Sequence, residues 1–402
     1  MTFDASRVLM LAPQAPFPPE QGAALRNYNI LRYLAQRHRV TLIAFGDPAE
    51  IRSPLQELCE QVVMVPAPVR PTAQRLAEQL LPTPDLAIRL RSAAFGAALA
   101  RVCRRRRFAV VQCEGLELYR YASTVPAPLI LDAHNAEWRL QQVAYLSALR
   151  DCRLAPAIYS LLQWRKLARY EGLALRQAGA TFAVSALDQR DLQHIAPDAD
   201  VTVLANGVDA ELYQPLIGVV EDADSILFAG KMDFRPNVEG ALWLARRIMP
   251  RVWSRRPAAR LVLFGRDPTP AVRRLAADPR ITVTGHVPGI DAEKMALARA
   301  SVIAVPLLSG GGTRLKVLHS LAMARPLVST PLGAAGYALR SGQHLLLADG
   351  TGQFAAALLQ LLEQRDLAYQ LGVAGRATVQ QNYTWERLLP LLDSTYARVC
   401  RG

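Results

Sequence analysis

The amino-acid sequence predicts an α/β protein built from two doubly wound domains. Short apolar runs alternate with helical patterns along almost the whole chain, which is typical of parallel sheets covered by helices on both faces. At 402 residues the chain is long for one domain, and a hydrophobic content of 51% with 20% charged residues allows large cores. A change of composition at residues 215–224 predicts a linker between the two domains.

The first predicted domain, residues 1–214, opens with an apolar strand at residues 8–11. A proline-rich loop over residues 13–22 follows, and then a helix over residues 23–36. A long helix is predicted from about residue 155 to residue 178. Runs of four to seven mostly apolar residues predict the other strands, since buried parallel strands have that length and composition. These strands are placed at residues 39–45, 62–65, 109–112, 129–132, 180–184 and 201–204.

The second predicted domain, residues 225–384, repeats the alternation from its own first strand. Its strands are predicted at residues 225–229, 260–264, 281–284, 302–305 and 327–329. Its helices are predicted at residues 238–253, 291–299, 313–323, 351–364 and 368–380. The last segment, residues 385–402, is predicted to be a helix that packs back on the first domain. Ligands of such sheets bind beyond the carboxyl ends of the strands.

The composition of the chain predicts its cellular location and whether it holds a zinc site. The five cysteines form no CxxC pair, which predicts unbridged thiols in a reducing cytosol and no zinc site. No segment reaches the ~20 apolar residues that span a bilayer, and the first residues lack the pattern of a signal peptide. The expected location is therefore the cytoplasm, and a second possibility is peripheral association with the inner face of the plasma membrane.

The net charge of +13 calls for an anionic partner, either nucleic acid, an anionic membrane surface or a phosphorylated substrate. No nucleic-acid recognition motif is present, so nucleic acid is not expected as a partner. Arginines recur between residues 68 and 108 and end in Arg104–Arg107. This stretch is interpreted as a surface for an anionic membrane, or else as the exposed basic face of a helix pair.

The most informative motif is a glycine loop at residues 310–312, between an apolar strand and an amphipathic helix that is predicted to begin near Thr313. Glycines let a backbone approach a ligand closely, and the unpaired N–H groups of a helix start favour an anion. Arg314 and Lys316, predicted in the first turn, add positive charge. The motif therefore predicts a phosphate site. The alternative is an ordinary strand–helix unit with a solvated first turn.

Several motifs, in order and at matching spacing, resemble family 4 glycosyltransferases. They lie at residues 16–22, 131–137, 206–209, 228–237, 263–266, 283–287 and 310–330. The resemblance implies the GT-B fold, in which two Rossmann-like domains face each other across a cleft. It also implies a hexosyltransferase that moves a sugar from a UDP- or GDP-linked donor to a cell-surface glycan or lipid-linked acceptor. Retention of the anomeric configuration and catalysis without a bound metal are part of this expectation.

The resemblance carries over to individual residues of both domains. His134 and Asp132 match a strand-end loop and are the catalytic candidates, with His134 either a base oriented by Asp132 or a hydrogen-bond donor to the sugar. The candidates for binding the donor are Gly22, Lys231, Arg235, Gly311, Gly312, Thr313, Arg314, Lys316 and His319. Each has a structural alternative, such as a tight turn for Gly22 and a solvent-facing side chain for Lys231 or Arg235. Arg26 is expected either to meet an anionic acceptor or to lie on the surface.

The chain departs from the family pattern at two positions. Gly311 and His319 stand where the family usually has glutamates, the second of which accepts hydrogen bonds from the nucleotide ribose. A neutral imidazole accepts one such bond but has fewer lone pairs than a carboxylate. Two alternatives therefore stay open, an inactive scaffold in a polysaccharide assembly and a nucleotide-sugar epimerase. The two D-x-D sequences, at residues 198–200 and 222–224, are interpreted as solvated turns and not as metal ligands.

Overall fold

A computed structural model describes residues 6–19, 22–48, 54–79, 81–150 and 152–401. Its contacts divide the chain into two compact units, one of Met1–Ala205 with Leu389–Gly402 and one of Asn206–Leu388. Each unit contains a parallel sheet with helices around it. The predicted α/β class is confirmed. Glu20 and Gln21, in the proline-rich loop, lie outside the described residues.

The first unit is organised around a seven-stranded parallel sheet of order β3-β2-β1-β4-β5-β6-β7. The strands are β1 (Arg7–Ala12), β2 (Arg39–Phe45), β3 (Gln61–Val65), β4 (Val110–Glu114), β5 (Leu129–Ala133), β6 (Ala180–Ala183) and β7 (Val201–Val203). The strand order changes direction between β1 and β4, and ligands of open α/β sheets bind beyond the strand ends at such a point.

The helices of the first unit cover this sheet. They are α1 (Gly22–Ala35), α2 (Leu55–Leu58), α3 (Thr72–Glu78), α4 (Asp85–Ile88), α5 (Ala93–Arg105), α6 (Tyr119–Ala122), α7 (Glu137–Arg150), α8 (Leu154–Gln177) and α9 (Ala186–Ile195), with a 3-10 turn at Leu116–Leu118. Helix α5 packs Phe95, Leu99 and Val102 into the core, next to residues of the central strands such as Leu11 and Val111. This burial explains why the alternating apolar pattern was readable in the sequence.

The second unit has a six-stranded parallel sheet of order β10-β9-β8-β11-β12-β13. Its strands are β8 (Asp222–Ala229), β9 (Arg260–Phe264), β10 (Ile281–Val283), β11 (Ala300–Val305), β12 (Leu327–Ser329) and β13 (Leu346–Leu347). The order changes direction between β8 and β11. The carboxyl ends of these two neighbouring strands lead into the loops after Ala229 and Val305, which hold most of the predicted donor-binding residues.

Helices surround the second sheet as well. They are α10 (Arg235–Trp243), α11 (Met249–Trp253), α12 (Pro270–Arg273), α13 (Ile290–Arg299), α14 (Leu315–Ala322), α15 (Thr351–Glu363), α16 (Arg365–Asn382) and α17 (Trp385–Leu388). A π-helical turn at Leu244–Ile248 joins α10 to α11, and a 3-10 turn at Arg274–Ala277 follows α12. Within the described ranges, no helix has both the length and the apolar character needed to cross a membrane.

The last helix, α18 (Pro390–Val399), belongs to the first unit, where the Tyr396 hydroxyl donates to Gln112 Oε1 of β4 at 2.8 Å. Residues 206–214, predicted as the end of the first domain, belong instead to the second unit, because Val208 forms a β-bridge with Thr384. The predicted linker also ends early, since β8 begins at Asp222 and Arg299 pairs with that carboxylate at 2.8 Å.

Candidate functional site

The first unit gathers three titratable side chains where β4 and β5 end. Glu114 is the last residue of β4, Asp132 lies one residue before the end of β5, and His134 follows that strand. His134 Nε2 lies 3.3 Å from a Glu114 oxygen and 3.7 Å from an Asp132 oxygen. Both carboxylates are fully buried, while the imidazole is partly exposed. The arrangement can share or move a proton next to solvent.

Asp132 is held by a buried arginine. The guanidinium of Arg26, on α1, donates from Nε and Nη2 to the two carboxylate oxygens of Asp132, at 2.6 and 2.7 Å. Burial is the largest influence on Asp132 and opposes its ionisation, but the charge and hydrogen bonds of Arg26 together with the neighbouring His134 and Glu114 outweigh it, so the pKa of this carboxyl is lowered. Arg26 is only 2% exposed, so the alternative that it lies on the surface is wrong.

His134 Nε2 and a Glu114 carboxylate oxygen lie within hydrogen-bond distance, at 3.3 Å, so the proton between them can reside on either group. Burial, followed by the negative charge of Asp132, raises the pKa of Glu114. Burial disfavours the imidazolium of His134, but the hydrogen bond to Glu114 and the charge of Asp132 favour it more, so its pKa is raised. Glu114 also accepts hydrogen bonds from Gln112 at 2.9 Å and, with its amide nitrogen facing the carboxylate, from Asn27 at 2.8 Å. Among the described residues, the contacts of the His134 ring with carboxylates are made by Nε2 and none by Nδ1.

This cluster also has the spacing of a metal site, since one ligand atom from each of Glu114, Asp132 and His134 lies within 4.8 Å of the others. Its charges suit a metal poorly, however. Both oxygens of Asp132 already accept from the Arg26 guanidinium, and a second cation beside it would be repelled. The donor set therefore fits proton sharing better than cation binding.

The second unit places the glycine loop between β11 and α14. Gly310 has φ +109° and Gly312 has φ +67°, backbone conformations that favour glycine. The Arg314 guanidinium turns back and donates to the carbonyl oxygens of Gly311 and Gly312, the latter at 2.7 Å. Helix α14 begins at Leu315 with Arg314 as its extended N-cap residue, two residues later than predicted. Arg314 thus braces the loop and is not part of the first helical turn.

Lys316 lies in the first turn of α14 and points toward the neighbouring strand. Its ammonium donates to Asn237 Oδ1 at 2.9 Å and lies 4.5 Å from the centre of the Phe228 ring. Burial, and next the charge of Arg314, lower the pKa of Lys316 to about 7. Among the described residues no carboxylate lies within ion-pair distance of this ammonium. A partly buried cation without a carboxylate partner is well suited to bind an anion.

His319 lies one turn further along α14, and its side chain is turned toward α13. Its Nδ1 lies 3.0 Å from a Glu293 oxygen, and its ring stacks on Tyr213 with 4.0 Å between the ring centres. The Tyr213 hydroxyl donates to the other Glu293 oxygen at 3.1 Å. Burial is the largest influence on Glu293 and opposes its ionisation, but His319, the Tyr213 hydrogen bond and the charge of Lys316 together outweigh it, so the pKa of Glu293 is lowered. In the part of the chain that the structure describes, His319 Nε2 is buried without a hydrogen-bond partner.

Lys231 and Arg235 are the most exposed of the predicted donor-binding side chains, at 45% and 53%. Lys231 pairs with Asp233 at 3.2 Å, and Arg235 pairs with Glu239 at 2.6 Å. Nearby, the backbones after β8 and β9 meet closely, because a Cβ on Gly265 would lie 1.9 Å from the carbonyl oxygen of Gly230. Both cations can be redirected toward a ligand only by breaking these pairs.

The remaining predicted residues occupy defined places. The Thr313 hydroxyl accepts from Asn206 Nδ2 at 2.7 Å, which attaches the glycine loop to the start of the second unit. Gly22 is the first residue of α1, one turn before Arg26. The second unit thus brings Gly311, Gly312, Thr313, Arg314, Lys316 and His319 together, whereas His134 and Asp132 belong to the first unit. Sequence reasoning missed Glu114, Asn27 and Glu293.

Comparison with protein families gives two matches, one to each part of the chain. Residues 21–212 match the model described as "Glycosyltransferase Family 4", and residues 223–364 match "Glycosyl transferases group 1". One curated relative, described as an uncharacterized 44.6 kDa protein in the cps region of Klebsiella pneumoniae, is 23% identical over 164 residues. That match spans 40% of this chain and 42% of the relative, so the chain matches about two fifths of that protein's length.

Solved structures resemble the chain over nearly its full length. Sucrose-phosphate synthase from Thermosynechococcus elongatus matches with a TM-score of 0.76 and 15% identity, covering 98% of this chain and 99% of that one. HepE from Anabaena, solved with UDP and glucose, matches with a TM-score of 0.69 and 14% identity over 98% and 99% of the two chains. TarM from S. aureus matches with a TM-score of 0.67 and 9% identity over 99% and 100%. These likenesses show the GT-B fold. The two family matches together span residues 21–212 and 223–364, and they show that the chain belongs to the glycosyltransferases, with a family 4 part followed by a group 1 part.

Proposed function

We propose that this glycosyltransferase takes its sugar from a nucleotide-sugar donor whose diphosphate binds at the glycine loop of the second unit. The observation that carries the proposal is the partly buried side chain of Lys316 in the first turn of α14, whose ammonium has no carboxylate partner among the described residues. The backbone N–H groups at the start of α14 add partial positive charge in the same place. HepE, which shares the fold, was solved with UDP-glucose, and this supports a UDP-linked donor.

The chemistry asked of this site is stabilisation of the departing diphosphate. Negative charge grows on the leaving oxygen as the glycosidic bond breaks, and preorganised donors lower the barrier where they meet that charge. Lys316 provides positive charge once the bound diphosphate raises the pKa of its ammonium, and Lys231 and Arg235 can provide further charge after leaving Asp233 and Glu239. No step in this scheme requires a metal ion, so we propose transfer that is insensitive to chelators.

We further propose that His134 acts on the sugar or acceptor through Nδ1, while Nε2 stays with Glu114. Because the His134–Glu114 pair shares a proton, the imidazole can donate a hydrogen bond or receive a proton without creating a lone buried charge. Retention of configuration and a lipid-linked or cell-surface glycan acceptor complete the proposal. A relative in a cps region supports a glycan acceptor.

Nucleotide binding tests the donor site first. Thermal shift with millimolar UDP, GDP or ADP should stabilise the wild type, and Lys316→Met should weaken binding at least about tenfold through loss of a charge-assisted contact. Lys294→Met is the matched control, since Lys294 pairs with the exposed Asp291 and should leave binding unchanged. If none of the three nucleotides stabilises the protein, the proposed donor site is wrong.

Donor hydrolysis then separates an enzyme from an inactive scaffold. His134→Ala should lower the hydrolysis rate by roughly 10²–10⁴-fold, the usual range for loss of a proton-transfer group. His194→Ala removes an exposed histidine of the same unit and serves as its control. Equal rates for wild type and His134→Ala would remove His134 from the mechanism. Nucleotide binding without any turnover would favour the scaffold alternative.

A further inference from the structure

The hairpin of α7 and α8 in the first unit carries an exposed apolar ridge. We define the ridge as Val143, Leu146 and Leu149 of α7 together with Leu154, Ile158 and Leu162 of α8. Leu154 is 70% exposed, Ile158 60% and Leu146 52%. Isolated exposed leucines are ordinary, but six large apolar side chains within 20 residues of chain form a cluster that normally marks an interaction surface.

The hairpin geometry brings the ridge residues together. Gln141 donates to the Ser160 hydroxyl at 2.9 Å, and the Arg153 amide donates to the Ala148 carbonyl at 2.8 Å. These two contacts set an antiparallel register in which Val143 lies opposite Ile158. Leu154, Ile158 and Leu162 follow one another at four-residue spacing and so share one side of α8. The ridge therefore occupies the half of the hairpin next to its turn.

Positive charge surrounds the ridge. Arg150 and Arg153 are exposed at the turn, and Arg139, Arg165 and Arg169 are exposed toward the base of the hairpin. Residues 138–170 carry five arginines and Lys166 against a single acidic residue, Asp151. Glu137 and Glu171 lie at the base of the hairpin, where Arg139 also lies 3.9 Å from an Asp191 oxygen, so the hairpin as a whole has a net positive charge. Apolar side chains bordered by arginines are the composition of a surface that rests on anionic lipid.

The base of the hairpin is fixed, and only the half near the turn is left unpacked. Gln163 donates to Gln79 Oε1 at 2.6 Å and accepts from the Asp85 amide at 2.9 Å. Lys166 donates to the Gln79 carbonyl at 2.6 Å, and the Trp138 indole donates to the Asp191 carbonyl at 3.1 Å. The ridge is thus presented by a rigid support and not by a loose helix.

We propose that the ridge and its arginines dock this protein on an anionic lipid surface, with the C-terminal half of α7 and the N-terminal half of α8 at the interface. This inference does not rest on the proposed sugar transfer. It also moves the predicted membrane contact away from the arginine-rich stretch around α5. Helix α5 buries its apolar residues Phe95, Leu99 and Val102 in the core, and Arg106 pairs with Glu60 at 2.8 Å. The arginine-rich stretch around α5 therefore presents charged side chains without the exposed apolar side chains that would enter a membrane.

A second copy of the chain is a less suitable partner for this surface. Pairing two ridges would bring the arginines of both copies together, and like charges at close range oppose association. An anionic lipid surface provides negative charge and an apolar interior at once. Hence charge complementarity selects lipid over self-association.

Vesicle co-sedimentation tests the proposal with the full chain. Wild-type protein should bind vesicles of phosphatidylglycerol and phosphatidylcholine, bind pure phosphatidylcholine far more weakly, and dissociate as salt is raised. The double variant Leu146→Glu/Ile158→Glu should lower partitioning at least about tenfold. Ile217→Glu/Val220→Glu is the matched control, because it places the same charges at exposed apolar positions of the second unit and should bind like wild type.

A fluorescent label on Cys152 locates the contact directly. Cys152 is exposed at the hairpin turn, whereas Cys59 and Cys113 are buried and Cys103 and Cys400 are partly buried. An environment-sensitive dye on Cys152 should shift to the blue on anionic vesicles, and Cys152→Ser should remove that signal. Unchanged binding by Leu146→Glu/Ile158→Glu, or no spectral shift during binding, would overturn the proposal. So would a dimer mass in light scattering that the same double variant abolishes without any binding to vesicles.

Discussion

At the scale of single residues, the two sites handle buried positive charge in opposite ways. Arg26 is neutralised by both oxygens of Asp132, while Lys316 has an amide oxygen and an aromatic ring as its neighbours. The first arrangement stabilises the fold around His134. In the second, no carboxylate of the described residues pairs with the ammonium, which is the arrangement expected for the proposed anion site, and the pKa of Lys316 is lowered.

The Arg26–Asp132 pair should be essential for stability. Arg26→Met leaves a buried carboxylate without its partner, and breaking a buried pair in this way typically costs ~3–5 kcal/mol. Calorimetry should therefore show a much earlier unfolding transition. Arg26→Met/Asp132→Leu removes both charges and should recover most of the loss. Arg37→Met, in an exposed pair with Asp393, should change stability by at most ~1 kcal/mol.

Lys316 should make nucleotide affinity depend on pH. Its pKa is about 7 without ligand, and a bound diphosphate raises it, so binding above pH 7 must be accompanied by uptake of a proton. The dissociation constant of UDP should therefore increase with pH above 7, by up to about tenfold per pH unit. Lys316→Arg keeps its charge throughout and should flatten the profile. A wild-type profile as flat as that of the variant would contradict this assignment.

Single residues were also where sequence reasoning reached its limit. Asp132 and His134 could be found because they end an apolar strand. Glu114 ends the neighbouring strand, but that strand was predicted to stop at Gln112, two residues too early. Arg26 and Glu293 lie on helices, and their partners are distant along the chain, so only the folded structure reveals that they pair with Asp132 and His319.

At the scale of elements, the predicted strands lie close to their observed positions because buried parallel strands are short, continuous apolar runs. The predictions at residues 260–264 and 327–329 coincide with β9 and β12. Helix starts were harder to place. Residues 313 and 314 were predicted as helical, yet Arg314 is extended with φ −107° and ψ 100°. Its guanidinium binds the carbonyls of the glycine loop, a contact that propensity does not encode.

The loops after β8 and β9 approach so closely that a side chain at Gly265 should be destabilising. Gly265 has φ +145°, and an added Cβ would overlap the Gly230 carbonyl, so Gly265→Ala should lower the unfolding temperature and weaken nucleotide binding. Gly352→Ala is the matched control, since it lies in the first turn of α15 with open space around it. It should be neutral or stabilise by up to ~1 kcal/mol. Equal stability of the two variants would contradict the close approach.

At the scale of the whole molecule, length and the restart of the strand–helix alternation were enough to predict two sheets. The boundary between the units was harder to predict from the sequence. Residues 206–214 are irregular in structure, and they attach to the second unit through Val208 and Tyr213. Composition alone could not assign them. The attachment depends on the distant partners Thr384 and Glu293, which local patterns do not reveal.

Nucleotide binding should slow hydrogen exchange in some parts of the chain and leave it unchanged in others. Hydrogen exchange with saturating UDP should slow at the glycine loop and the start of α14, because the proposed diphosphate contacts involve backbone N–H groups there. The strands β4 and β5 of the first unit should exchange at unchanged rates with UDP alone. Slower exchange confined to β4 and β5 would mean that the nucleotide binds the first unit, which would contradict our proposal.

The loop that follows β5 has one more consequence. The Ala136 amide donates to Asp188 at 3.2 Å, and the amides of Glu137 and Trp138 donate to the Glu171 carboxylate at 3.1 and 2.9 Å. Three successive backbone groups are thereby fastened to α9 and α8 immediately after His134. We therefore expect the loop that carries His134 to be ordered by folding alone, so that a sugar bound as we propose would not have to order it.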